Sequence, residues 1–195
     1  MKVSVAIATY NRAPYIRQAI DSVLNQTMTD FEIIVIDDGS TDNTVAVIAD
    51  YRDRIRYVRT GNGGPARARN VGMAMARGEY ICWLDSDDFF HPAKLALQSA
   101  VLDAHPDVAM VCTECSGFDD HGAWFEYHLQ DYHASAYRRG GVAYDVLFDR
   151  ATPIGQVAAL RATLPDGSDW GNRKLYLGRI FDRYLMNTVV FTNSM

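Results

Sequence analysis

Apolar positions follow two alternating rhythms along the first half of the chain. Residues 2–9 form a compact β-branched and alanine run, the pattern of a strand buried on both faces. Past a polar turn at Tyr10-Asn11-Arg12, residues Ile16, Ala19, Ile20, Val23 and Leu24 fall at i, i+3, i+4, i+7 and i+8, one apolar stripe of a helix. Pro14 suits the first turn of that helix, which the stripe predicts to end near Gln26. Residues 31–36 predict a second strand, Val45, Ile48 and Ala49 a second helix, and residues 55–58 a short third strand. Alternation of this kind predicts a parallel sheet with helices on both faces.

The glycine-rich loop Gly61-Asn62-Gly63-Gly64 needs unusual backbone dihedrals. Pro65 then opens a helix carrying Arg67, Arg69, Asn70 and Val71, with Gly78 as its stop. Tyr80-Ile81-Cys82-Trp83-Leu84 runs directly into Asp85-Ser86-Asp87-Asp88, so a buried strand delivers three carboxylates to its C-terminal edge. His91-Pro92 opens a further helix through Leu102, and residues 107–115 read as another strand. Beyond Gly117 the pattern loosens. Asp119-Asp120-His121-Gly122 reads as a hairpin turn, residues 142–148 and 176–186 as helices, and residues 188–192 as a last strand. The expected organisation is a single structural domain, with a regular half over residues 1–115 and a less regular part over residues 116–195.

Composition narrows the classes. With 195 residues and 48% hydrophobic content the chain can bury a core, and a net charge of −5 with a pI near 5.4 argues against a general nucleic-acid binder. Cys82, Cys112 and Cys115 are an odd set with no second C-x-x-C pair, so they read as buried thiols in a reducing compartment. No apolar run approaches the ~20 residues that span a bilayer, and the N-terminus reads straight into a strand. The expected location is the cytoplasm, with a place at the cytoplasmic face of the membrane through a partner left open.

The strand ends carry the candidate chemistry. Side chains two apart on a strand share a face, so Asp85 and Asp87 can hold one hard cation such as Mg²⁺ or Mn²⁺, which takes one or two carboxylates and completes its shell with water and phosphates. The alternative is a carboxylate-rich turn capping the next helix. A parallel sheet gathers Tyr10-Asn11, Asp37-Asp38 and Asp85 to Asp88 on one rim. Tyr10 could stack a base, Asp38 could accept a base or ribose hydrogen, and Arg67 or Arg69 could meet phosphate oxygens. Each has a structural alternative: a surface aromatic, an Asx-turn, solvated helix charges. The first turn lacks the G-x-G-x-x-G of dinucleotide-binding dehydrogenases, and no Walker A loop is present.

In order, Thr9-Tyr10-Asn11, Ser22-Val23-Leu24-Asn25-Gln26-Thr27, Val35-Ile36-Asp37-Asp38-Gly39-Ser40, Gly63-Gly64-Pro65 to Arg69-Asn70-Val71-Gly72, Gly78-Glu79-Tyr80-Ile81 and Leu84-Asp85-Ser86-Asp87-Asp88 resemble the motifs of family 2 inverting glycosyltransferases. The resemblance covers residues 1–115 and implies the type A glycosyltransferase fold, with a mainly parallel Rossmann-like sheet, and a nucleotide-diphosphate-sugar donor, most often a UDP-sugar. By that likeness Ala8, Tyr10 and Asp38 meet the nucleoside, and the pair Asp85 and Asp87 binds ribose and Mn²⁺ or Mg²⁺, with Asp87 the direct ligand; Asn11, Ser86, Arg67 and Arg69 complete the expected donor-binding set. The acceptor would be a glycan, lipid-linked or polymer hydroxyl of the cell envelope, which attacks the donor's anomeric carbon from the face opposite the departing diphosphate and so inverts it.

No residue matches the family's general base: Glu114, Asp119, Asp120 and Asp182 are available but fit no motif. The expectation is a base that is absent or lies beyond Met195, in a truncated catalytic domain or a non-catalytic nucleotide-sugar-binding module. A sugar-phosphate nucleotidyltransferase is disfavoured, because only Arg12 follows strand one where a Gly-rich, basic signature would stand. The aromatics and histidines from His121 to Tyr144 could form an acceptor-side lip, pack on the sheet, or fill a homodimer interface.

Overall fold

The computed structural model describes residues 1–113, 116–118, 124–125, 150–161 and 174–177. In it, β1 (Val3–Thr9) is hydrogen-bonded on one side to β2 (Phe31–Asp37) and on the other to β4 (Tyr80–Asp85), while β3 (Arg56–Arg59) lies outside β2. All three pairings are parallel, as the alternating pattern predicts. The intervening helices are α1 (Ile16–Leu24), α2 (Thr44–Ala49) and α3 (Pro65–Met75), and α4 (Lys94–Ala104) follows β4. The chain thus steps outward from β1 to β3 and then reverses, placing β4 on the far side of β1. Ligands of open α/β sheets bind at such a reversal, outside the carboxyl ends of the two strands.

The period of two along each strand sorts the core into two layers. Val3, Val5 and Ile7 of β1, with Ile33 and Val35 of β2, pack with Ile16, Ala19, Ile20 and Val23 of α1 and Ile48 of α2. Ala6, Ile34 and Ile36 face Ala68 of α3 on the other side, joined by Ala8 and Trp83. Small residues on this second face let α3 lie close. A Cβ added at Gly72 would fall 2.8 Å from Ile36 Cδ1 and 3.2 Å from Ala6 Cβ.

At the amino end of the sheet a buried polar cluster ties β1, β2, β3 and the α3–β4 turn together. The Ser4 hydroxyl donates to Glu32 Oε1 at 2.6 Å, Arg56 donates to Glu32 Oε2 at 2.7 Å, and the Arg77 amide donates to Glu32 Oε1 at 2.9 Å. Burial alone pushes the Glu32 carboxyl up, but these three donors outweigh it and hold the group below its ordinary value. Gly78 lies against the same strand, where an added Cβ would come within 2.5 Å of the Ser4 nitrogen.

The carboxyl end is braced by Gln26, just past α1. Its amide donates to the carbonyls of Ser22 and His91 at 3.1 and 2.8 Å, and its carbonyl accepts from the Leu95 amide at 3.0 Å. The Ser22 hydroxyl also accepts from the Phe90 amide at 3.0 Å. The segment that follows the aspartates is therefore fastened to α1.

The chain divides into two compact units, one built on residues 1–103 and the other within residues 104–192; the pattern shift read from the sequence falls at residue 115. In the second unit, β5 (Gly117–Phe118) pairs antiparallel with β6 (Trp124–Phe125), while the turn expected at residues 119–122 lies outside the described residues. An antiparallel pair absent from the sequence reading joins β7 (Arg150–Pro153) to β8 (Lys174–Leu177), and β7 leads into a 3₁₀ turn (Ile154–Gln156) and the short α5 (Ala158–Arg161). Two expectations are corrected. Residues 107–113 form no strand, and the apolar run there includes an exposed Met110 and an exposed Cys112, not a core thiol. The helix expected from residue 176 gives way to β8, whose Tyr176 is matched to Ala151 across the ladder. Residues 142–148, 178–186 and 188–192, Cys115, and the candidate bases Glu114, Asp119, Asp120 and Asp182 lie outside the described residues, as do His121, His128 and His133. No helix among the described residues is long and apolar enough to cross a membrane.

Candidate functional site

Parallel register brings three strand ends level. Ala8 stands opposite both Ile36 of β2 and Asp85 of β4, and Thr9 stands opposite Asp37. By the alternation described above, Ala8 and Asp85 lie on the α3 face of the sheet. Arg69 reaches down from α3 and donates to Asp85 Oδ1 at 2.6 Å. The sequence placed Arg69 and Asp85 in one set, and the structure brings them into contact.

The two aspartates at the end of β2 part company. Asp37 is fully buried and takes a hydrogen bond from the Ser40 amide at 2.8 Å and one from the Tyr57 hydroxyl at 3.0 Å, with Arg59 Nε at 3.6 Å. Burial and that bond to Asp37 push the Tyr57 hydroxyl up to about 12. Asp38, 4% exposed, turns to the glycine loop. Its Oδ1 accepts from the Thr60 hydroxyl at 3.1 Å and the Gly63 amide at 3.0 Å, and its Oδ2 accepts from the Gly64 amide at 2.7 Å. Gly64, at φ 88°, supplies the left-handed turn that aims these amides inward. The Asp38 carboxylate thus organises the loop over residues 60–64 before any ligand arrives.

The turn after β1 is equally determined. Asn11 has φ 52°, a left-handed conformation that Asn tolerates. Its side-chain oxygen accepts from the Thr41 amide at 2.8 Å, its own amide donates to Ser40 Oγ at 2.9 Å, and the Arg12 amide donates to Thr44 Oγ1 at 2.9 Å. Asp42 accepts from the amides of Thr44 and Ala13 at 2.9 and 3.2 Å; burial raises its carboxyl and these bonds more than reverse the effect, so it titrates below its ordinary value. Asn11 is a staple between two loops in this structure. Tyr10 beside it is 43% exposed, an aromatic face open at the rim.

Arg12 was missed as a site residue. Its guanidinium crosses from the β1 turn to the β4 turn, where Nε donates to Asp87 Oδ2 at 3.1 Å. Position directly after the left-handed Asn11 was the available signal. Ser86, between the two aspartates, is buried at 5% exposure. Arg67 stays on the glycine loop, donating to the Gly61 carbonyl at 3.3 Å and lying where a Gly63 side chain would be.

No cluster of three metal-ligating side chains occurs among the described residues. Asp85 and Asp87 offer two hard oxygen donors at the sheet reversal, with side chains 18% and 28% exposed. This set fits a cation that draws the rest of its shell from water and phosphate oxygens, and not one caged by protein.

Comparison with known proteins gives a consistent family. The model of glycosyl transferase family 2 matches residues 4–153. An uncharacterised glycosyltransferase of Rickettsia typhi is 43% identical over 112 residues, covering 56% of this chain and 35% of that protein. The poly(ribitol-phosphate) β-N-acetylglucosaminyltransferase TarS of Staphylococcus aureus is 36% identical over 118 residues, covering 57% of this chain and 21% of its own. A crystal structure of a TarS fragment in complex with UDP-GlcNAc superposes with a TM-score of 0.51 at 27% identity, covering 69% of this chain and 48% of that one. The chain therefore spans about a third or less of the length of these two curated relatives.

Proposed function

The chain belongs to glycosyl transferase family 2, and from that premise we propose that residues 1–103 bind a nucleotide-diphosphate sugar, most often a UDP-sugar, for inverting transfer to a glycan, lipid-linked or polymer hydroxyl. The type A fold of its structural relatives is the fold of this chain. The observation that carries the proposal is the gathering at one sheet reversal of an exposed aromatic, Tyr10, and two carboxylates, Asp85 and Asp87, the first held by Arg69 of α3 and the second by Arg12 of the turn after β1. A site for UDP-GlcNAc in TarS supports the donor class.

In this reading Tyr10 stacks on the base, and the loop that Asp38 fixes closes over the nucleoside. Asp85, oriented by Arg69, meets the ribose, and Asp87 offers its oxygen to Mn²⁺ or Mg²⁺. When bound, that cation would neutralise the departing diphosphate. The arginines orient phosphate oxygens. A residue that deprotonates the acceptor is not assigned among the described residues.

The test is calorimetric titration with UDP, GDP, ADP and CDP, with and without Mn²⁺, on the chain and on Asp87→Ala. One nucleotide should bind in a metal-dependent manner, and the substitution should abolish the metal dependence. Absence of binding by all four, with and without metal, would overturn the donor reading.

A further inference from the structure

We propose that Arg12 is an internal stand-in for the cation at Asp87. With no donor present its guanidinium holds the carboxylate; when a nucleoside diphosphate and a divalent cation arrive, it gives Asp87 to the cation and turns to the diphosphate. This inference rests on the donor reading above and adds a mechanism by which nucleotide and cation bind cooperatively.

Three observations carry it. First, the Arg12–Asp87 contact is made by Nε at 3.1 Å between side chains 46% and 28% exposed. Exposed pairs of this kind are weak and screened by solvent, so the contact is exchangeable. Second, the Arg12 backbone is fixed: its amide is held by Thr44 Oγ1 at 2.9 Å, and the preceding Asn11 is stapled to the Thr41 amide at 2.8 Å. The side chain can swing while its root stays at the rim. Third, Asp85 has its own guanidinium in Arg69 at 2.6 Å, with both side chains less exposed than those of the Arg12 pair. The two aspartates are thus compensated separately, and Asp87 is the one whose partner is easier to displace.

The chemistry of the exchange is directional. A dication bound to Asp87 and a guanidinium on the same carboxylate repel each other, so the cation alone must work against Arg12. A diphosphate relieves this, because the planar fork of a guanidinium matches phosphate oxygens. Once Arg12 has moved to the diphosphate, the carboxylate is free for the cation. Each ligand then raises the affinity for the other by the same factor, as linkage requires.

The experiment is titration of free Mn²⁺ by electron paramagnetic resonance, without nucleotide and then with saturating UDP, or whichever of the four nucleoside diphosphates binds. The intact chain, Arg12→Gln and Arg12→Lys are compared, with thermal melts confirming that each is folded. Arg12→Gln should bind Mn²⁺ alone about threefold to tenfold more tightly, and the factor by which the nucleotide improves Mn²⁺ binding should fall about tenfold. Arg12→Lys keeps the charge without the fork, so Mn²⁺ alone should bind within about twofold of the parent while the coupling factor drops several-fold. Equal or weaker Mn²⁺ binding by Arg12→Gln, with coupling unchanged, overturns the inference, and unchanged coupling in Arg12→Lys does so independently. If the unsubstituted chain binds neither Mn²⁺ nor nucleotide, the donor reading itself has failed; if it binds both and the variants match it, only the role of Arg12 is wrong.

Discussion

Replacing Asp38 by Asn separates a structural duty from a ligand contact. The carboxylate is 4% exposed and accepts from the Thr60 hydroxyl, the Gly63 amide and the Gly64 amide at 2.7 to 3.1 Å. Asparagine is nearly the same shape, yet it keeps one acceptor oxygen and turns an NH₂ group toward a donor on the other side. The Gly63 amide also lies 3.1 Å from Oδ2, so the best compromise leaves a carbonyl at the Oδ2 position on Gly63 and Gly64 and points the NH₂ at the Thr60 oxygen. Even so, charge-assisted bonds worth about 1.5–3 kcal/mol each become neutral ones worth about 0.5–1.5 kcal/mol. Relief of a buried charge returns part of this. The net expectation is a loss of about 2 kcal/mol.

Equilibrium unfolding in urea reads the loss directly. With slopes of about 1–3 kcal/mol per molar for domains of ordinary size, the midpoint should fall by about 1 M with the slope unchanged. Amide exchange at Gly63 and Gly64 should accelerate about thirtyfold, because protection scales with the free energy of local opening. If the midpoint moved by less than about 0.2 M and the glycine amides kept their protection, Asp38 would not be holding the loop. In that event a loss of nucleotide affinity with intact stability would identify a direct nucleoside contact instead.

The buried contacts elsewhere around the sheet have consequences of the same kind. Glu32→Gln should cost about 1–3 kcal/mol, since the amide cannot accept from Ser4, Arg56 and the Arg77 amide together. The folded Glu32 carboxyl titrates below its ordinary value of 4.5, so its stabilisation is full above that pH and is lost as pH falls through the lower folded value. Unfolding midpoints measured from pH 7 down to pH 3 should show a shallower acid limb in the variant; parallel curves would reject this. Gly78→Ala should destabilise by more than about 2 kcal/mol, because the new methyl meets the backbone of Val3 and Ser4 at 2.7 and 2.5 Å and neither can yield; a melting temperature within 2 °C of the parent would contradict it. Gln26→Met fills the same space without hydrogen bonds and should cost about 2 kcal/mol, with faster amide exchange at Leu95 as the specific sign.

What the sequence made legible was whatever repeats. The β-branched runs and the stripe on Ile16, Ala19, Ile20 and Val23 predict the strands and helix that form, because both layers of the sheet are covered and apolar periodicity leaves little choice. The acids at the strand ends were also visible, since a run of five mostly apolar residues can only deliver Asp85 to the sheet edge. Partnership was not visible. Asn11 and Arg12 stand 29 and 32 positions before Ser40 and Thr44 and meet them only because β1 and β2 are paired in register. Arg12 was passed over for the same reason, its partner Asp87 lying 75 positions away. Residues 107–113 misled because a short apolar run fits a strand or an irregular segment equally well, and only a neighbouring strand edge decides.

Exposure orders the rim's acids by the cost of exchanging the partners they already hold. Asp37, Asp38, Asp85 and Asp87 converge at one edge of a chain whose net charge is −5, so each needs compensation to be held there. Asp37, fully buried, is compensated by Tyr57, the Ser40 amide and Arg59, and Asp38, 4% exposed, by backbone amides and Thr60. A ligand displacing those donors would leave buried amides unsatisfied, at about 1–3 kcal/mol each. Asp85 and Asp87 are compensated by guanidinium groups that are themselves 38% and 46% exposed. Water can replace those partners at little cost, so a cation or a sugar hydroxyl can too. Two adjacent acids in the Asp37-Asp38 motif and two alternate acids in the Asp85-Ser86-Asp87 motif look alike as carboxylates. The first pair is buried and held mainly by amides and hydroxyls, and the second by guanidinium groups that solvent reaches.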